Sequence, residues 1–322
     1  MKNNILGHSI ALLTIVVWGT TFVSTKVLLN SLAPIEILVY RFFIAYFMLL
    51  LIYPKFKKVD SWKDELILFG AGVSGVTLYF LAENVALKYT LASNVGLLVS
   101  AAPIITAIMA HIFTKDEKFS KDLIIGLIVA FIGVFFVIFN KGLAIEINPI
   151  GDFLALMAAV AWSIYTILLK KLGSKYNYIY LTRKIFFYGL LTSMPILFLD
   201  GFKFDIGKFI APGVLPNMVF LGVVASSMGF VMWNTSINIL GAVKVSNYIY
   251  LIPFITGLTS FIVLNERITQ LTVCGAILIL SGVYISERGV EKIISSLKCI
   301  NIFNQIAKKS QYGIEKKIEP DN

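Results

Sequence analysis

The sequence predicts an all-α integral membrane protein of ten transmembrane helices, arranged as two inverted five-helix repeats. Three observations carry that prediction. First, 58% of the 322 residues are hydrophobic and only 14% are charged, with a mean hydropathy of +0.84. Too few charges remain to cover a water-facing surface, so the solvent is lipid. Second, the apolar residues run on in stretches near the roughly 20 residues that a helix needs to cross the hydrocarbon core. Such runs point to helices, because barrel strands would alternate over about ten residues. Third, the chain repeats itself: Phe80, Asn84, Ala92 and Pro103 match Phe230, Asn234, Ala242 and Pro253 at a spacing of 150, and Glu117, Gly126 and Gly133 match Glu266, Gly275 and Gly282 at 149. Trp18, Lys26 and Arg41 answer, at somewhat shorter spacings, to Trp162, Lys170 and Arg183.

The spans follow in order. Span 1 (8–28) carries Trp18 and Lys26. Lys2 precedes it in the manner of a signal peptide, but the run lacks an Ala-x-Ala-like exit and leads straight into another span, so it is read as retained. Span 2 (33–53) holds Glu36 and Arg41, and span 3 (65–87) holds Glu83 and Asn84. Gly70, Gly72 and Gly75 in span 3 spell a dinucleotide-binding fingerprint, but that fingerprint needs a strand before it and a helix after it. Inside a membrane helix, small residues at this spacing serve close packing. Span 4 (91–113) contains Asn94, Ser100 and Pro103, and span 5 (121–139) contains Gly126 and Gly133. The second copy then supplies span 6 (149–169) with Trp162 and Tyr165, span 7 (178–199) with Arg183, and span 8 (213–237) with Trp233 and Asn234. Span 9 (241–264) carries Ser246, Asn247, Tyr248, Tyr250 and Pro253, and span 10 (271–287) carries Cys274, Gly275 and Gly282.

The formal charge of +10 invites a nucleic-acid partner, and its distribution argues against one. Loops on one side of the predicted membrane carry ten basic residues (Lys55, Lys57, Lys58, Lys63, Lys115, Lys118, Lys121, Lys170, Lys171 and Lys175), whereas the other side carries five (Lys88, Lys141, Lys203, Lys208 and Arg267). The positive-inside rule then puts both termini in the cytoplasm. Basicity reports topology. The two cysteines, Cys274 and Cys299, offer no disulfide framework, and the two histidines, His8 and His111, no metal cluster. No phosphate-binding GxxxxGK[ST] loop occurs, so the chain shows no nucleotide hydrolysis of its own, and no cofactor is implied.

The domains expected are a first five-helix repeat at 1–143, a second at 144–289 and a basic cytoplasmic tail at 290–322. The tail is read either as a loose terminus or as an amphipathic segment on the anionic inner leaflet, using Ile293, Leu297 and Ile300. Five spans per copy oblige the second copy to cross in the opposite sense. Inverted pairs of this kind characteristically hold a site near mid-bilayer and rock around it.

Several strings together resemble the EamA family of the drug/metabolite transporter superfamily: Trp18-Gly-Thr-Thr-Phe22, Arg41-Phe-Phe, Ala86-Leu-Lys-Tyr-Thr-Leu-Ala-Ser93, Ala161-Trp-Ser-Ile-Tyr165 and Glu266-Arg-Ile-Thr269. The likeness covers roughly residues 8–288, and the first copy departs from it in Asp116-Glu-Lys-Phe-Ser120, which lacks the arginine. The resemblance implies a ten-helix secondary transporter working by alternating access, with a cavity lined chiefly by spans 1, 3, 4, 6, 8 and 9. It further implies a small metabolite as substrate, often an amino acid, and often export across the cytoplasmic membrane.

The residues themselves supply the candidates. Polar groups are expensive in lipid and therefore face protein or a wet cavity. Aromatic walls with sparse hydrogen-bonding groups are how small-molecule sites are built. The expected substrate cavity accordingly contains Trp18, Asn84, Asn94, Trp162, Tyr165, Asn234, Asn247 and Tyr248. Arg41 lies too deep for comfortable snorkelling, and either pairs with Glu36 or serves a substrate anion or gate. Glu83 is read as a proton-coupling carboxylate or as the partner of Lys88. Pro103 and Pro253 are candidate hinges. The expected partners are a small-molecule substrate and the lipid bilayer; homodimer formation stays open. A second reading, efflux of hydrophobic cations, would use the same aromatic walls with Glu83, and a membrane scaffold or sensor is a third. No grouping of His, Asp, Glu or Ser at membrane depth suggests an enzyme.

Overall fold

A computed structural model describes residues 2–56, 58–114, 121–138, 149–172, 175–202, 205–240, 245, 247–266 and 268–289. The expected tail (290–322), Glu117, Ala242, Ser246 and the side chains of His111 and Asn247 lie outside the described residues. All regular structure among the described residues is helical.

Helix α1 spans Lys2–Leu28 and α2 spans Pro34–Ile52. Proline opens α2, where a missing N–H costs nothing, and Glu36 reaches back to the Ala33 N–H at 2.8 Å. Helix α3 (Trp62–Tyr89) starts at Ser61, whose hydroxyl accepts from the Asp64 N–H, and acidic Asp64 and Glu65 complement the dipole of its first turn. A π-helical stretch, Val73–Leu78, lies in its middle.

Span 4 of the sequence reading is broken. Helix α4 (Ala92–Val99) and helix α5 (Ala102–Thr114) are separated at Ser100 and Ala101, whose N–H groups bond to the carbonyls three residues back. Pro103, in the first turn of α5, has no N–H to continue the ladder across the break. Helices α6 (Lys121–Ile138), α7 (Pro149–Leu172) and α8 (Tyr178–Leu199) follow. Helix α9 comprises Val214–Val219, a π-helical stretch Phe220–Met228, and Gly229–Leu240. A 3-10 turn, Asn247–Leu251, leads into α10 (Ile252–Leu264), with Pro253 again in the first turn, and α11 (Gln270–Arg288) closes the described chain.

The two copies thus match in backbone irregularities as well as in sequence. The π-helical stretches of α3 and α9 occur at equivalent places, and so do the breaks before Pro103 and Pro253. Packing obeys the same exchange. Helix α1 packs on α9 and α10, as α7 packs on α3 and α5; α2 packs on α8, and α6 on α11. The α6–α11 contact explains the recurring glycines: a Cβ on Gly133 would stand 2.7 Å from the Gly275 carbonyl oxygen, and one on Gly282 would collide with the Gly126 carbonyl. Only backbones without side chains approach so closely.

Five described helices are long and apolar enough to cross a membrane: Ile5–Leu28, Pro34–Ile52, Trp62–Tyr89, Pro149–Leu172 and Val214–Ser236. Four shorter apolar helices accompany them, Ala92–Thr106, Ile124–Gly133, Tyr248–Leu264 and Gln270–Gly282.

Candidate functional site

Where the two halves meet, an aromatic cluster surrounds a small cavity. The Trp18 ring lies 5.6 Å edge-on to Trp162, 5.4 Å from Phe230 and 5.0 Å from Trp233, while Tyr79 lies 5.2 Å from Trp162. Trp18 Nε1 donates to the Ala225 carbonyl at 3.0 Å, fixing the indole against the π-helical stretch of α9. The cavity of about 40 Å³ is walled by Trp18, Trp162, Phe230, Phe22, Phe80, Val99, Ala102, Ile249 and Ile252, and its polar lining is Thr21, Arg41, Tyr79 and Glu83. It has room for one or two waters.

Arg41 gives the cavity its cation. Helix α2 carries it to 2% exposure, and Nε donates to Ser226 Oγ of the π-helical stretch of α9 at 2.6 Å. Its guanidinium carbon lies 4.3 Å from the centre of the Phe80 ring, a cation–π contact in a desolvated setting. Nη1 finds no hydrogen-bond acceptor. Glu83, on α3 at 1% exposure, faces Arg41 and Tyr79, and its Oε1 finds no donor. A buried guanidinium and a buried carboxylate therefore share one aromatic chamber, each with an unused hydrogen-bonding atom.

Trp18 and Trp162 stand in the cavity wall. Tyr165, 2% exposed, stacks behind Trp162 at 5.0 Å with its hydroxyl unpartnered. The asparagines lie elsewhere. Asn84 donates to the Pro34 carbonyl at 3.0 Å and Asn234 to Thr182 Oγ1 at 2.9 Å, each tying its helix to the start of another. Asn94 reaches Thr90 Oγ1 at 3.4 Å, and Tyr248 shares a 2.7 Å hydrogen bond with His8 near the start of α1.

The alternative pairing of Arg41 with Glu36 is corrected: Glu36 pairs with Lys208 at 2.7 Å while capping α2. On a helix, neighbours stand three or four residues apart, and the separation of five between Glu36 and Arg41 points them to different faces. Glu83 likewise faces Arg41 across helices in place of Lys88 along its own.

Polar networks close both ends of the bundle. At one end, Glu266 accepts from the Ala92 N–H at 2.8 Å, the Ser93 N–H at 3.1 Å and Ser93 Oγ at 2.8 Å. Lys26 lies 4.0 Å from the same carboxylate and donates to the Thr90 carbonyl, and Thr90 Oγ1 donates to Asp152 at 2.7 Å. At the other end, Lys175 pairs with Asp64 at 2.6 Å and Lys184 with Glu65 at 2.5 Å. The hydrogen bond to Asp64 holds the Lys175 ammonium above its ordinary range. Arg183, the sequence counterpart of Arg41, donates there to the carbonyls of Tyr53 and Lys55 at the end of α2, away from the cavity. Among the described residues no three His, Cys, Asp or Glu side chains gather as a metal site.

Sequence inspection missed Tyr79, Phe80, Phe230 and Ser226. The duplicated phenylalanines were visible as a repeat match, but nothing in their spacing marked them as walls. The approach of Arg41 to Glu83 joins two helices and leaves no local pattern.

Comparison with known proteins agrees with this architecture. The EamA-like transporter family matches residues 5–139 and again 149–287. An uncharacterized transporter of Archaeoglobus fulgidus is 32% identical over 86% of this chain and 96% of its own length. A probable amino-acid metabolite efflux pump of Escherichia coli is 27% identical over 87% of this chain and 96% of its own length. A solved crystal structure superposes with a TM-score of 0.61 at 17% identity, covering 87% of this chain and 96% of that one, and so shares the fold. With both of its halves matched, the chain belongs to the EamA-like transporter family and is a multi-pass membrane transporter.

Proposed function

We propose that this chain is a ten-crossing secondary transporter that exports a small carboxylate-bearing metabolite, an amino acid or a close relative, across the cytoplasmic membrane by alternating access. The observation that carries the substrate class is Arg41: a buried guanidinium with a free Nη1 in an aromatic chamber between the halves. An anionic group is the natural partner for such a fork. The same guanidinium weighs against efflux of hydrophobic cations, because a cationic cargo meets a like charge there. The relative named as a probable amino-acid metabolite efflux pump supports both the class and the outward direction.

Ten crossings are supported by the five long spans, the four shorter apolar helices and α8. Span 4 counts as one crossing made of α4 and α5, of 8 and 13 residues, together about 30 Å at 1.5 Å per residue. The inverted relation of the repeats is supported by the end contacts: the last turn of α1 lies with the first turn of α7 beside Thr90, so two equivalent helices run in opposite senses. The excess of basic residues at the other end supports cytoplasmic termini.

A cavity of about 40 Å³ is far below the roughly 300 Å³ at which small-molecule sites begin. Transport therefore requires the Trp18–Trp162–Phe230 cluster to part, with the two polar end networks releasing in turn. The breaks before Pro103 and Pro253 are the places where the backbone is free to bend. The test is uptake of pooled labelled amino acids into proteoliposomes. Saturable accumulation above empty liposomes supports the reading, and its absence with folded, inserted protein contradicts it.

A further inference from the structure

We propose that Glu83 selects for a positively charged amino group, so that the cavity reads a zwitterion at both of its poles. This rests on the transporter reading above. The two halves furnish the cavity with equivalent residues, Trp18 with Trp162, Phe80 with Phe230 and Ala102 with Ile252. The equivalence breaks at the charged positions and at Tyr79, whose counterpart 150 residues on is Gly229. The counterpart of Glu83 is Trp233, 150 residues on, and the counterpart of Arg41 is Arg183, which binds carbonyls at one end of the bundle. The duplicated chain thus sets one guanidinium and one carboxyl group among aromatic walls that the two halves largely share.

A purely structural ion pair would use these groups on each other. Here Arg41 Nη1 lacks an acceptor and Glu83 Oε1 lacks a donor, though both residues line the cavity and are almost wholly buried. Leaving such atoms bare is costly. Water can serve both, and a cargo that displaces the water must return the same two bonds or lose affinity. The chamber therefore needs one acceptor at Arg41 and one donor at Glu83.

An α-amino acid carries both, a carboxylate for Arg41 and an ammonium for Glu83. Tyr79, the remaining titratable group that faces Glu83, adds a hydroxyl beside that pole. A simple carboxylate would satisfy Arg41 and set a second negative charge against Glu83. A hydrophobic cation would satisfy Glu83 and set a positive charge against Arg41. Each of the two leaves one bare group and one like-charge contact, which is how a site rejects a competitor. The zwitterion leaves the charge of the chamber unchanged, whereas either competitor shifts it by one.

The test uses proteoliposomes of the full chain and whichever pooled amino acid the wild type accumulates best, with the deaminated acid of the same side chain as competitor. The wild type is expected to favour the amino acid by at least about tenfold, the cost of leaving one buried group unpaired. Glu83→Gln is expected to bring the two within about twofold, by weakening the amino acid and improving the acid. Glu83→Asp, which keeps the charge, is expected to retain the preference, separating charge from packing. Accumulation by the wild type without discrimination overturns the proposal, and so does an unchanged preference in a folded Glu83→Gln protein. Failure of every amino acid to accumulate in the wild type overturns this proposal together with the reading beneath it.

Discussion

Arg41 Nε donates to Ser226 Oγ at 2.6 Å, joining the second helix of the first repeat to the π-helical stretch of the second. Trp18 bonds to the preceding residue, Ala225, through its indole N–H. In the equivalent stretch of α3, Thr77 donates to the Gly189 carbonyl at 3.0 Å. π-Helical turns often mark functional sites, and here each one is the point at which the other half takes hold.

Ser226→Ala removes the one side-chain partner of a buried guanidinium nitrogen. The expected loss is about 1–3 kcal/mol of stability, read as a lower melting temperature in detergent. Arg41 also loses its fixed orientation, so apparent KM for the substrate is expected to rise. An unchanged melting temperature and KM would show that Ser226 does not hold Arg41.

Gly133→Ala or Gly282→Ala would drive a methyl group into the facing backbone, near Gly275 or Gly126, where no flexible side chain gives way. Overpacking of this kind costs about 1–3 kcal/mol, and a thermal melt reads it. Gly257→Ala is the control: its new Cβ would meet nothing closer than 3.8 Å, and the melt is expected to stay at or slightly above wild type, alanine being the better helix former.

Much of this was legible in the residues. Composition and run length announce membrane helices, and Gly126, Gly133, Gly275 and Gly282 recur as a matched set because two equivalent helices meet along them. Trp18 and Trp162 were marked by their repetition, and the structure puts both in the cavity wall. The polar site was harder to read. Asn84 and Asn234 repeat at the same spacing, yet each bonds to the start of a neighbouring helix, because a duplicated residue can hold an architecture as well as a ligand. Nearness along one helix suggests Arg41 as the partner of Glu36, whereas its actual partner Lys208 comes from 172 residues away. Contacts between helices have no period in the sequence, and the Arg41–Glu83 approach is of that kind.

Glu266→Ala would strip α4 of the carboxylate that accepts the Ala92 and Ser93 N–H groups. Hydrogen bonds to a charged acceptor contribute about 1.5–3 kcal/mol each, and this carboxylate links the two halves at one end of the bundle. The variant is expected to melt lower and to hold that end open more often, seen as faster labelling of a cysteine substituted at Thr21 in a Cys274→Ser, Cys299→Ser background. Unchanged labelling would show that this end is closed by other contacts.

Lys175 offers a pH prediction outside the membrane spans. Its ammonium is raised above the ordinary lysine value of 10.5 by the hydrogen bond to Asp64. A basic group whose folded value is raised contributes stability fully below its unfolded value and loses it as pH climbs through the folded one. The melting difference between wild type and Lys175→Met is therefore expected to stay constant from about pH 7 to pH 10 and to shrink only above that range. A difference that collapses near neutral pH would contradict the pairing.

The role of Arg41 in choosing the cargo is tested most directly by comparing two cargo classes on one preparation: proteoliposome accumulation of a zwitterionic amino acid pool and of a hydrophobic cation, for wild type and Arg41→Gln. Saturable amino-acid accumulation is expected for wild type, with its loss in Arg41→Gln that still folds and no cation accumulation above empty liposomes. Cation accumulation by wild type that strengthens when Arg41 is neutralised would contradict it, and would assign the chamber to cation efflux.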